Sequence, residues 1–373
     1  MQQRTRVYLD NAATTPLCEA ARNAMLPHLC ELCGNASSPY ETGRTARMAI
    51  DRARGQVAAL IGANADEIVF TGGGTESDNW ALLGVALRNM EKHGHFIVSA
   101  IEHHAVLEPL ETLRDMGFAT DIACVDGNGV VSTEEIARLL RPDTLLVSVM
   151  TVNNEVGTIQ PIAEIGALAR ERGILFHSDA AQAAGKLPLS VEELGVDLMT
   201  LSAHKFGGPK GAGALFIQRG VKMQSLLRGG GQERGRRAGT ENVPAIVGMG
   251  AAAHKARENV QENAAHMTAL RERLEDGLRV LNNAQINGEN AARAPHITNV
   301  TFHGKRAESV ALGLDLKGFA VGTGSACASG ALEPSHVLAA MGHDKETARG
   351  ALRVSLGVEN TAEEVGEFLA VLK

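Results

Sequence analysis

Five short apolar runs in the 373-residue sequence are each followed by side chains that can bind an anion, move a proton or form a covalent bond. Ligands of open α/β sheets bind beyond the carboxyl ends of the strands, so such residues are the first candidates for chemistry. We expect them to share one rim of a sheet. The runs and the residues after them are EIVF with Gly72, Gly73, Gly74 and Thr75; HFIVSA with Glu102, His103 and His104; TLLVSVM with Asn153, Asn154 and Glu155; ILFH with Asp179 and Gln182; and VDLMTL with Ser202, His204 and Lys205.

The glycine turn TGGGTESD predicts a contact between the backbone and an anion. Glycines allow close approach, Thr75 can cap the following helix, and the N–H groups at a helix N-terminus favour phosphate. No Gly-Lys-Ser/Thr follows, and the full G-x-G-x-x-G of a dinucleotide site is absent, so neither nucleotide-binding motif is present. A glycine turn before a helix is often purely structural, so the turn alone leaves both interpretations open.

Lys205 follows an apolar strand, where a solvated surface lysine is not the first expectation. A lysine in such a site can form a Schiff base with a carbonyl cofactor. Lys210 is a competitor, but it sits in a Gly/Pro turn and is expected to be solvated. Asp179 could simply cap a helix, and His103 and His104 could each be structural.

The combination of these residues is more informative than any one of them. An enzyme that uses pyridoxal phosphate (PLP) needs a phosphate cradle, a Schiff-base lysine and an acidic partner for the ring nitrogen. An aromatic lid on the ring and an amide near its phenolic oxygen are natural additions, although Asn153 and Asn154 could also be turn residues. All five features follow strands in this sequence, which predicts a PLP site.

The elements that must position these residues alternate between strand and helix. Such alternation predicts crossover units and a largely parallel sheet, and strands that are apolar on both faces suit a buried one. A long amphipathic segment at about 245–282 predicts one connecting helix, and the remainder fits a smaller α+β domain. The predicted strands of the main sheet are 67–70, 95–100, 118–126, 144–150, 174–180, 196–203 and 213–218.

Composition narrows the function class further. The formal charge of −7 and the 3% aromatic content disfavour direct binding of nucleic acid or an anionic membrane. No apolar run approaches about twenty residues, and the N-terminus lacks the apolar core of a signal peptide. Five irregularly spaced cysteines suit the reducing cytoplasm, and the lone Cys30-x-x-Cys33 has no second pair, so we expect no metal site.

In nearly its whole length the chain resembles cysteine desulfurases of the NifS/IscS type, in the class V aminotransferase group of fold-type I PLP enzymes. The resemblance implies an α/β fold of type I, with a mostly parallel central sheet between helices and a smaller α+β domain. The motifs occur in the family's order: YLDNAATTP, EIVFTGGGTESDN, IEHHAVLE, VNNEVGTIQPI, HSDAAQAAGKLP, DLMTLSAHKFGGPKGAGAL, GGGQERGRRAGTENV, GTGSACASGALEPSHVL and LRVSLG. We expect a large PLP-binding domain at 12–255 and a small domain of 1–11 and 256–373, which carries a loop at about 321–332.

The resemblance implies a role for each candidate residue. Lys205 would hold PLP in a Schiff-base linkage and then act as the base at the substrate's α-carbon. Asp179 would pair with the ring nitrogen, and His103 would stack on the ring and help to move protons. The other residues would contact the ring oxygen (Asn154 and Gln182), the phosphate (Gly74, Thr75, Ser202 and His204, with Thr240 from a partner subunit) and the substrate (Asn11 and Arg353).

Cys327 stands in VGTGSACASG, among small residues typical of an accessible loop. The resemblance implies that its thiolate takes sulfur from L-cysteine, leaving L-alanine and a persulfide. A homodimer would then pass sulfur to an acceptor protein for iron–sulfur clusters, other thio-cofactors or tRNA thiolation. The alternatives are a selenocysteine lyase or another class V aminotransferase, with Cys327 outside the chemistry, and a non-catalytic sulfur-carrier scaffold.

Overall fold

The computed structural model describes residues 6–323 and 334–372. The strands in this part of the chain are β1 (Val7–Tyr8), β2 (Ile68–Thr71), β3 (His95–Ser99), β4 (Ala119–Ala123), β5 (Thr144–Ser148), β6 (Leu175–Asp179), β7 (Leu198–Ser202), β8 (Gly213–Ile217), β9 (Ala284–Ile286), β10 (Ile297–Phe302), β11 (Phe319–Ala320), β12 (Gly322–Thr323) and β13 (Ala351–Ser355). The α-helices are α1 (Glu19–Cys30), α2 (Glu41–Leu60), α3 (Gly74–Arg88), α4 (His104–Leu107), α5 (Pro109–Asp115), α6 (Thr133–Leu139), α7 (Ile162–Arg172), α8 (Val191–Leu194), α9 (Val243–Glu258), α10 (Val260–Arg279), α11 (Ala307–Leu316), α12 (His336–Ala340), α13 (Lys345–Arg349) and α14 (Ala362–Leu372).

A seven-stranded sheet forms the centre, in the order β2-β8-β7-β6-β5-β3-β4. The strand β8 runs antiparallel to both of its neighbours, and the other adjacent pairs are parallel. The largely parallel sheet expected from the sequence is therefore confirmed. Each predicted strand overlaps an observed one, and the apolar residues of the inner strands are buried on both faces of the sheet, whereas the edge strand β4 is largely half-buried and leaves Ile122 exposed.

Alternate strand residues pack into two separate hydrophobic clusters. Phe70, Ile97 and Phe176 belong to one cluster, whereas the neighbouring Phe96 and Leu146 belong to the other. Because successive side chains of a strand point to opposite faces, the two clusters cover the two faces of the sheet. Apolar side chains therefore cover both faces of the inner strands.

A second sheet, antiparallel and ordered β12-β13-β10-β9, is built by the C-terminal part of the chain. The N-terminus packs against it: β1 pairs in parallel with β11 in a separate two-stranded sheet, and Val7 and Leu9 enter the same hydrophobic cluster as Leu352 and Phe368. The chain then crosses from this cluster to the rim of the central sheet. The three-residue strand β9 was not predicted, since so short a run carries little periodicity.

The single connecting helix predicted over 245–282 is wrong, because the structure divides it into α9 and α10. Asn259 lies between them with φ −115° and ψ 11°, outside the helical range. Its side-chain Nδ2 donates to the carbonyl of Lys255 at 2.8 Å. Asparagine is a weak helix former that competes for backbone hydrogen bonds, which explains the break.

Glu102, directly after β3, connects β3 to β5 beneath the rim. Its Oε1 accepts hydrogen bonds from the Ser99 hydroxyl and from the Met150 N–H at 2.7 Å, and its carbonyl accepts from His336. Its Oε2 is buried and has no hydrogen-bond partner in the part of the chain that the structure describes. Burial raises the pKa of Glu102 to about 8, so the carboxyl group is protonated at neutral pH.

Glu102→Gln is expected to flatten the pH dependence of stability. Between pH 4.5 and about 8 the unfolded chain releases the Glu102 proton while the folded protein keeps it, so the wild type loses stability as pH rises. Glutamine does not ionise and keeps an acceptor for Met150. The free energy of unfolding of the Glu102→Gln variant, relative to that of the wild type, should therefore rise by roughly 1–3 kcal/mol between pH 5 and pH 8. Urea unfolding at both pH values measures this difference.

Glu111, exposed on α5, provides the matched control. Glu111→Gln should follow the wild-type stability at every pH. If Glu102→Gln also follows it, Glu102 is ionised in the folded protein and the assignment is wrong.

Candidate active site

Lys205 lies just past the end of β7, in a short 3-10 turn over Ala203–Lys205. Its Nζ donates to the carbonyl oxygens of Ala12 and Ala13, at 2.7 Å and 2.9 Å. The half-buried amine is thus held between the sheet rim and the N-terminal segment. The rival lysine, Lys210, is exposed, as its Gly/Pro turn predicts.

Asp179 ends β6, beside β7, where it pairs in register with Thr200. Its side chain is buried, and its Oδ1 accepts the Ala181 N–H at 2.8 Å. Burial is the largest effect and raises the pKa of Asp179, while that hydrogen bond and the charges that His103 and Lys205 carry when protonated lower it. The carboxyl group therefore lies within electrostatic reach of both predicted catalytic residues and would ionise against a cation.

His103 caps the short helix α4 after β3, which is separated from β6 by β5 in the sheet. Its Nδ1 accepts the Ala105 N–H at 3.1 Å, which fixes the ring and requires this nitrogen to be unprotonated. Burial lowers the pKa of His103, the negative charge of Asp179 raises it, and Lys205 lowers it again. A neutral, oriented imidazole is suited to stack on an aromatic ring.

Gln182 and Asn154 lie on the same rim, but with different constraints. Gln182 donates to the Ala12 carbonyl at 2.9 Å and pairs with His296 through its Oε1 at 3.2 Å. Of the two asparagines, the fully buried Asn153 serves structure: it donates to Ile101 and accepts two backbone N–H groups from its own turn. The half-buried Asn154 is the one left at the rim.

The glycine turn places the N-terminus of α3 against the end of β7. A Cβ on Gly74 would lie 3.4 Å from the Cβ of Ser202, so the turn and the strand end are adjacent. Gly73 has φ +156° and ψ −179°, a conformation that only glycine adopts readily, and space is open around it. The geometry leaves room for an anion over backbone N–H groups.

The expectation that Thr75 caps α3 is wrong. The helix begins two residues earlier than such a cap implies, with Gly73 in the capping position and without a side-chain cap, and Thr75 is exposed. Glu76 instead reaches back, and its Oε2 accepts the Gly72 N–H at 2.7 Å. The exposed hydroxyl of Thr75 remains available to a ligand.

His204 is fixed next to Lys205 by the N-terminal segment. Its Nδ1 lies 3.1 Å from the Thr14 hydroxyl, and its carbonyl accepts from Thr15. Burial, reinforced by the nearby charges of Lys205, Lys210 and Lys186, lowers the pKa of His204 to about 4. The imidazole is therefore neutral at physiological pH, in surroundings with excess positive charge that favour an anion.

Arg353, on β13, lies at the meeting point of the two sheets. Its guanidinium donates to Asp10 Oδ1 at 2.8 Å and to the carbonyl of Asn154 at 2.9 Å, while its buried Nε has no partner among the described residues. Asn11 is also buried, and its amide donates to the Ser355 carbonyl at 3.1 Å. Asn11 thus fastens the N-terminal segment to β13, next to Arg353.

Thr240 is exposed at the end of the arginine-rich loop. Two ion pairs hold this loop: Arg54 binds Glu233 through two short contacts of 2.6 Å and 2.7 Å, and Arg237 binds Glu76 in the first turn of α3. The loop is therefore anchored beside the glycine turn and presents Thr240 outward.

Two polar residues of the site, the half-buried Asp10 and the buried Lys186, were not predicted from the sequence. Asp10 is the carboxylate partner of Arg353, and Lys186 donates to the carbonyl of Lys205 at 2.6 Å. Both stand inside motifs that carry the family resemblance, YLDNAATTP and HSDAAQAAGKLP, which is the pattern that could have drawn attention to them. Their partners are far apart in sequence, so the contacts themselves leave no local pattern.

Cys327 lies outside the described residues, as does most of the loop predicted at 321–332.

Within residues 6–323 and 334–372, no group of three His, Cys, Asp or Glu side chains is arranged to hold a metal ion. In the same residues, no helix is long and apolar enough to cross a membrane.

Comparisons with known proteins identify the family. The model of the aminotransferase class-V family matches residues 7–368. The chain is 50% identical to a cysteine desulfurase IscS of Methanosarcina thermophila over 366 residues, which are 98% of this chain and 91% of the relative.

Two solved structures agree with this assignment. A NifS-like protein has a TM-score of 0.92 and 41% identity and covers 98% of both chains. A structure described as SspA in complex with cysteine has a TM-score of 0.84 and 35% identity, covering 96% of this chain and 100% of that one. The fold class and the family resemblance expected from the motifs are thereby confirmed. The chain belongs to the aminotransferase class-V family, in which proteins named cysteine desulfurase IscS are among its relatives.

Proposed function

We propose that this protein is a PLP-dependent cysteine desulfurase, which converts L-cysteine to L-alanine and carries the sulfur away as a persulfide on Cys327. The main support is the arrangement of Lys205, Asp179 and His103 at one rim, where each lies within electrostatic reach of the others. The close similarity to proteins named cysteine desulfurase supports the same reaction.

The residues of the rim fit PLP. The open glycine turn suits a phosphate, and the buried Asp179, placed among positive charges, suits a protonated ring nitrogen. When bound, PLP supplies an electron-withdrawing ring that weakens the bonds at the substrate's α-carbon. The residues proposed to hold it are Lys205 for the Schiff base, Asp179 for the ring nitrogen, His103 on the ring face, Asn154 and Gln182 at the ring oxygen, and Gly74, Thr75, Ser202, His204 and a second copy's Thr240 at the phosphate.

Lys205 is proposed to be the base that removes the proton from the substrate's α-carbon. Its Nζ is already oriented by the carbonyls of Ala12 and Ala13, so little freedom has to be lost when it acts. Arg353 is proposed to bind the substrate's carboxylate through its planar guanidinium, in a position set by Asp10, with Asn11 beside it.

Sulfur transfer conserves electrons without an outside oxidant. The thiolate of Cys327 attacks the sulfur of the substrate, an S–S bond forms and the bond between sulfur and the β-carbon breaks. The β-carbon keeps the electron pair and receives a proton, which His103 or Lys205 is placed to supply. The carbon is reduced as the sulfur is oxidised, and alanine leaves the site.

The proposal includes a homodimer and a sulfur-acceptor protein in the cytoplasm, with iron–sulfur clusters or other thio-compounds as the destination of the sulfur. An exposed Thr240 beside the cradle and a concentration of exposed apolar side chains near the N-terminus support a second copy. These side chains are Leu17, Leu26, Leu29, Leu32, Tyr40 and Met48.

The division into a large domain of residues 12–255 and a small domain of residues 1–11 and 256–373 also remains a proposal, supported by the separate C-terminal hydrophobic cluster.

Cys327→Ser should lower the formation of alanine and sulfide from L-cysteine by about 100-fold or more, because serine cannot form a persulfide. Both products are measured with a reductant present. Cys30→Ser, at an exposed cysteine away from the rim, is the control and should keep wild-type activity. Full desulfuration by Cys327→Ser would instead favour a lyase or aminotransferase in which Cys327 takes no part.

Asp10→Asn should raise the KM for L-cysteine roughly tenfold with a smaller effect on kcat. Asparagine removes the charge that holds the buried Arg353, so the guanidinium loses its fixed position, and a loss of about 1.4 kcal/mol in binding corresponds to a factor of ten. Steady-state kinetics over a range of L-cysteine concentrations measures both constants.

Asp315, which pairs with Arg6 on the surface, supplies the control for this experiment. Asp315→Asn should leave both constants unchanged, because an exposed ion pair contributes little. An unchanged or lower KM in Asp10→Asn would refute the role given to the Asp10–Arg353 pair.

A further inference from the structure

We propose that Lys186 is a positioning residue for Lys205: it holds the backbone carbonyl of Lys205 and places a second cationic group near the amine of that residue. This inference rests on the proposed function, because it concerns the same lysine and the same proton transfer.

The contact is short and sheltered from solvent. The Nζ of Lys186 donates to the carbonyl of Lys205 at 2.6 Å, and Lys186 is only 5% exposed. Gly185, which precedes Lys186, makes this position possible. It has φ +73° and lies so close to Phe206 that a Cβ added to Gly185 would be 2.9 Å from the Cβ of Phe206. Only glycine fits this turn without strain.

The turn that carries Lys186 also carries two other residues of the rim. Asp179 and Gln182 precede it, and backbone hydrogen bonds from Ala183 and Ala184 to Ala180 close the first part of the turn. Lys186 closes the second part by donating its own N–H to Ala183. A displacement of Lys205 relative to this turn would therefore also change its position relative to Asp179.

A buried lysine is energetically unfavourable at a position whose only role is to support the fold. Removing an ammonium group from water is unfavourable, and an apolar side chain of similar volume would fill the same space at lower cost. Burial, reinforced by the positive charge of Lys205, lowers the pKa of Lys186 to about 7. Because this repulsion is mutual, a proton on one amine disfavours a proton on the other.

The other ionisable groups near Lys186 do not cancel its charge. Lys186 lowers the pKa of both His204 and His296, which burial already keeps neutral. A cavity of about 270 Å³ borders Lys186 and Lys205 and is lined at its outer side by the exposed Lys255. The carboxylates on its wall, at Glu359 and Glu364, belong to the C-terminal segment, and Glu364 is already used to accept hydrogen bonds from Asn360 and Thr361.

The test compares Lys186→Met and Lys186→Gln with wild type as PLP-loaded dimers. Methionine removes both the charge and the donor, whereas glutamine removes the charge and keeps a donor. The pKa of the linkage between Lys205 and PLP, read from the visible absorption against pH, should rise by about one unit in both variants. Lys186→Arg, which keeps charge and donor, should stay closer to wild type than either of them.

A second readout needs no cofactor. In the PLP-free full-length chain, acylation of Lys205 by a small amine-reactive ester, followed by peptide mass spectrometry, reports the neutral fraction of its amine. The midpoint of this reaction should move to higher pH in Lys186→Met and Lys186→Gln. The exposed Lys92, before the N-terminal end of β3 and thus away from the rim, is the control, and Lys92→Met should match the wild type in both measurements.

The outcomes separate the inference from the proposed function. If wild type shows a Lys205–PLP linkage and both variants titrate as it does, the inference is wrong and the function stands. If only Lys186→Met shifts, the carbonyl contact alone explains the effect and the charge role is refuted. If wild type forms no linkage at Lys205, the proposed function itself fails.

Discussion

The carbonyl oxygen of Ala12 accepts hydrogen bonds from both Lys205 and Gln182, and the whole site depends on this junction. The N-terminal segment that supplies it is itself fixed at both ends. Before Ala12, Leu9 bonds to the backbone on either side of it, at Ala320 and Ser355. After it, Thr15 holds the carbonyl of His204 and the N–H of Gly207. A short extended segment thus connects the C-terminal sheet to the rim of the central one and sets where the lysine points.

Around this junction, burial controls the charges. Asp78 lies beneath the rim, and burial together with the negative charge of Asp179 raises its pKa well above the usual range. Burial also lowers the pKa of the neighbouring His177 to about 3, and Glu102 is protonated as well. The layer under the site is therefore largely neutral at physiological pH. Burial raises the pKa of Asp179 as well, but Asp179 lies near His103 and Lys205, and a further positive charge, such as that of a protonated ring nitrogen, would favour its ionised form.

The sequence predicted much of this arrangement because strand ends in a parallel sheet converge by topology alone. Lys205, Asp179, His103 and Gln182 could be placed together from their positions after apolar runs, without knowledge of any contact. Predictions that depended on local hydrogen bonding were less accurate. Thr75 was expected to cap α3, but Gly73 took that position, because the helix start depends on backbone conformation rather than on the nearest hydroxyl.

Contacts between distant segments could not be predicted. Asp10 and Arg353 are 343 residues apart, and nothing in either neighbourhood indicates the other. The break at Asn259 was missed for a related reason, since the apolar pattern runs through it and only the backbone hydrogen bonds show that α9 ends there. The pairing of Lys186 with the Lys205 carbonyl likewise depends on how two turns pack, which no local pattern records.

The central claim is that Lys205, fixed at this junction, is the residue that carries the cofactor. The most direct test is to reduce the PLP-loaded protein with borohydride, digest it and locate the modified lysine by mass spectrometry. The account predicts a single pyridoxyl-phosphate adduct on Lys205. An adduct on Lys186 or Lys210, or no adduct on any lysine, would contradict it.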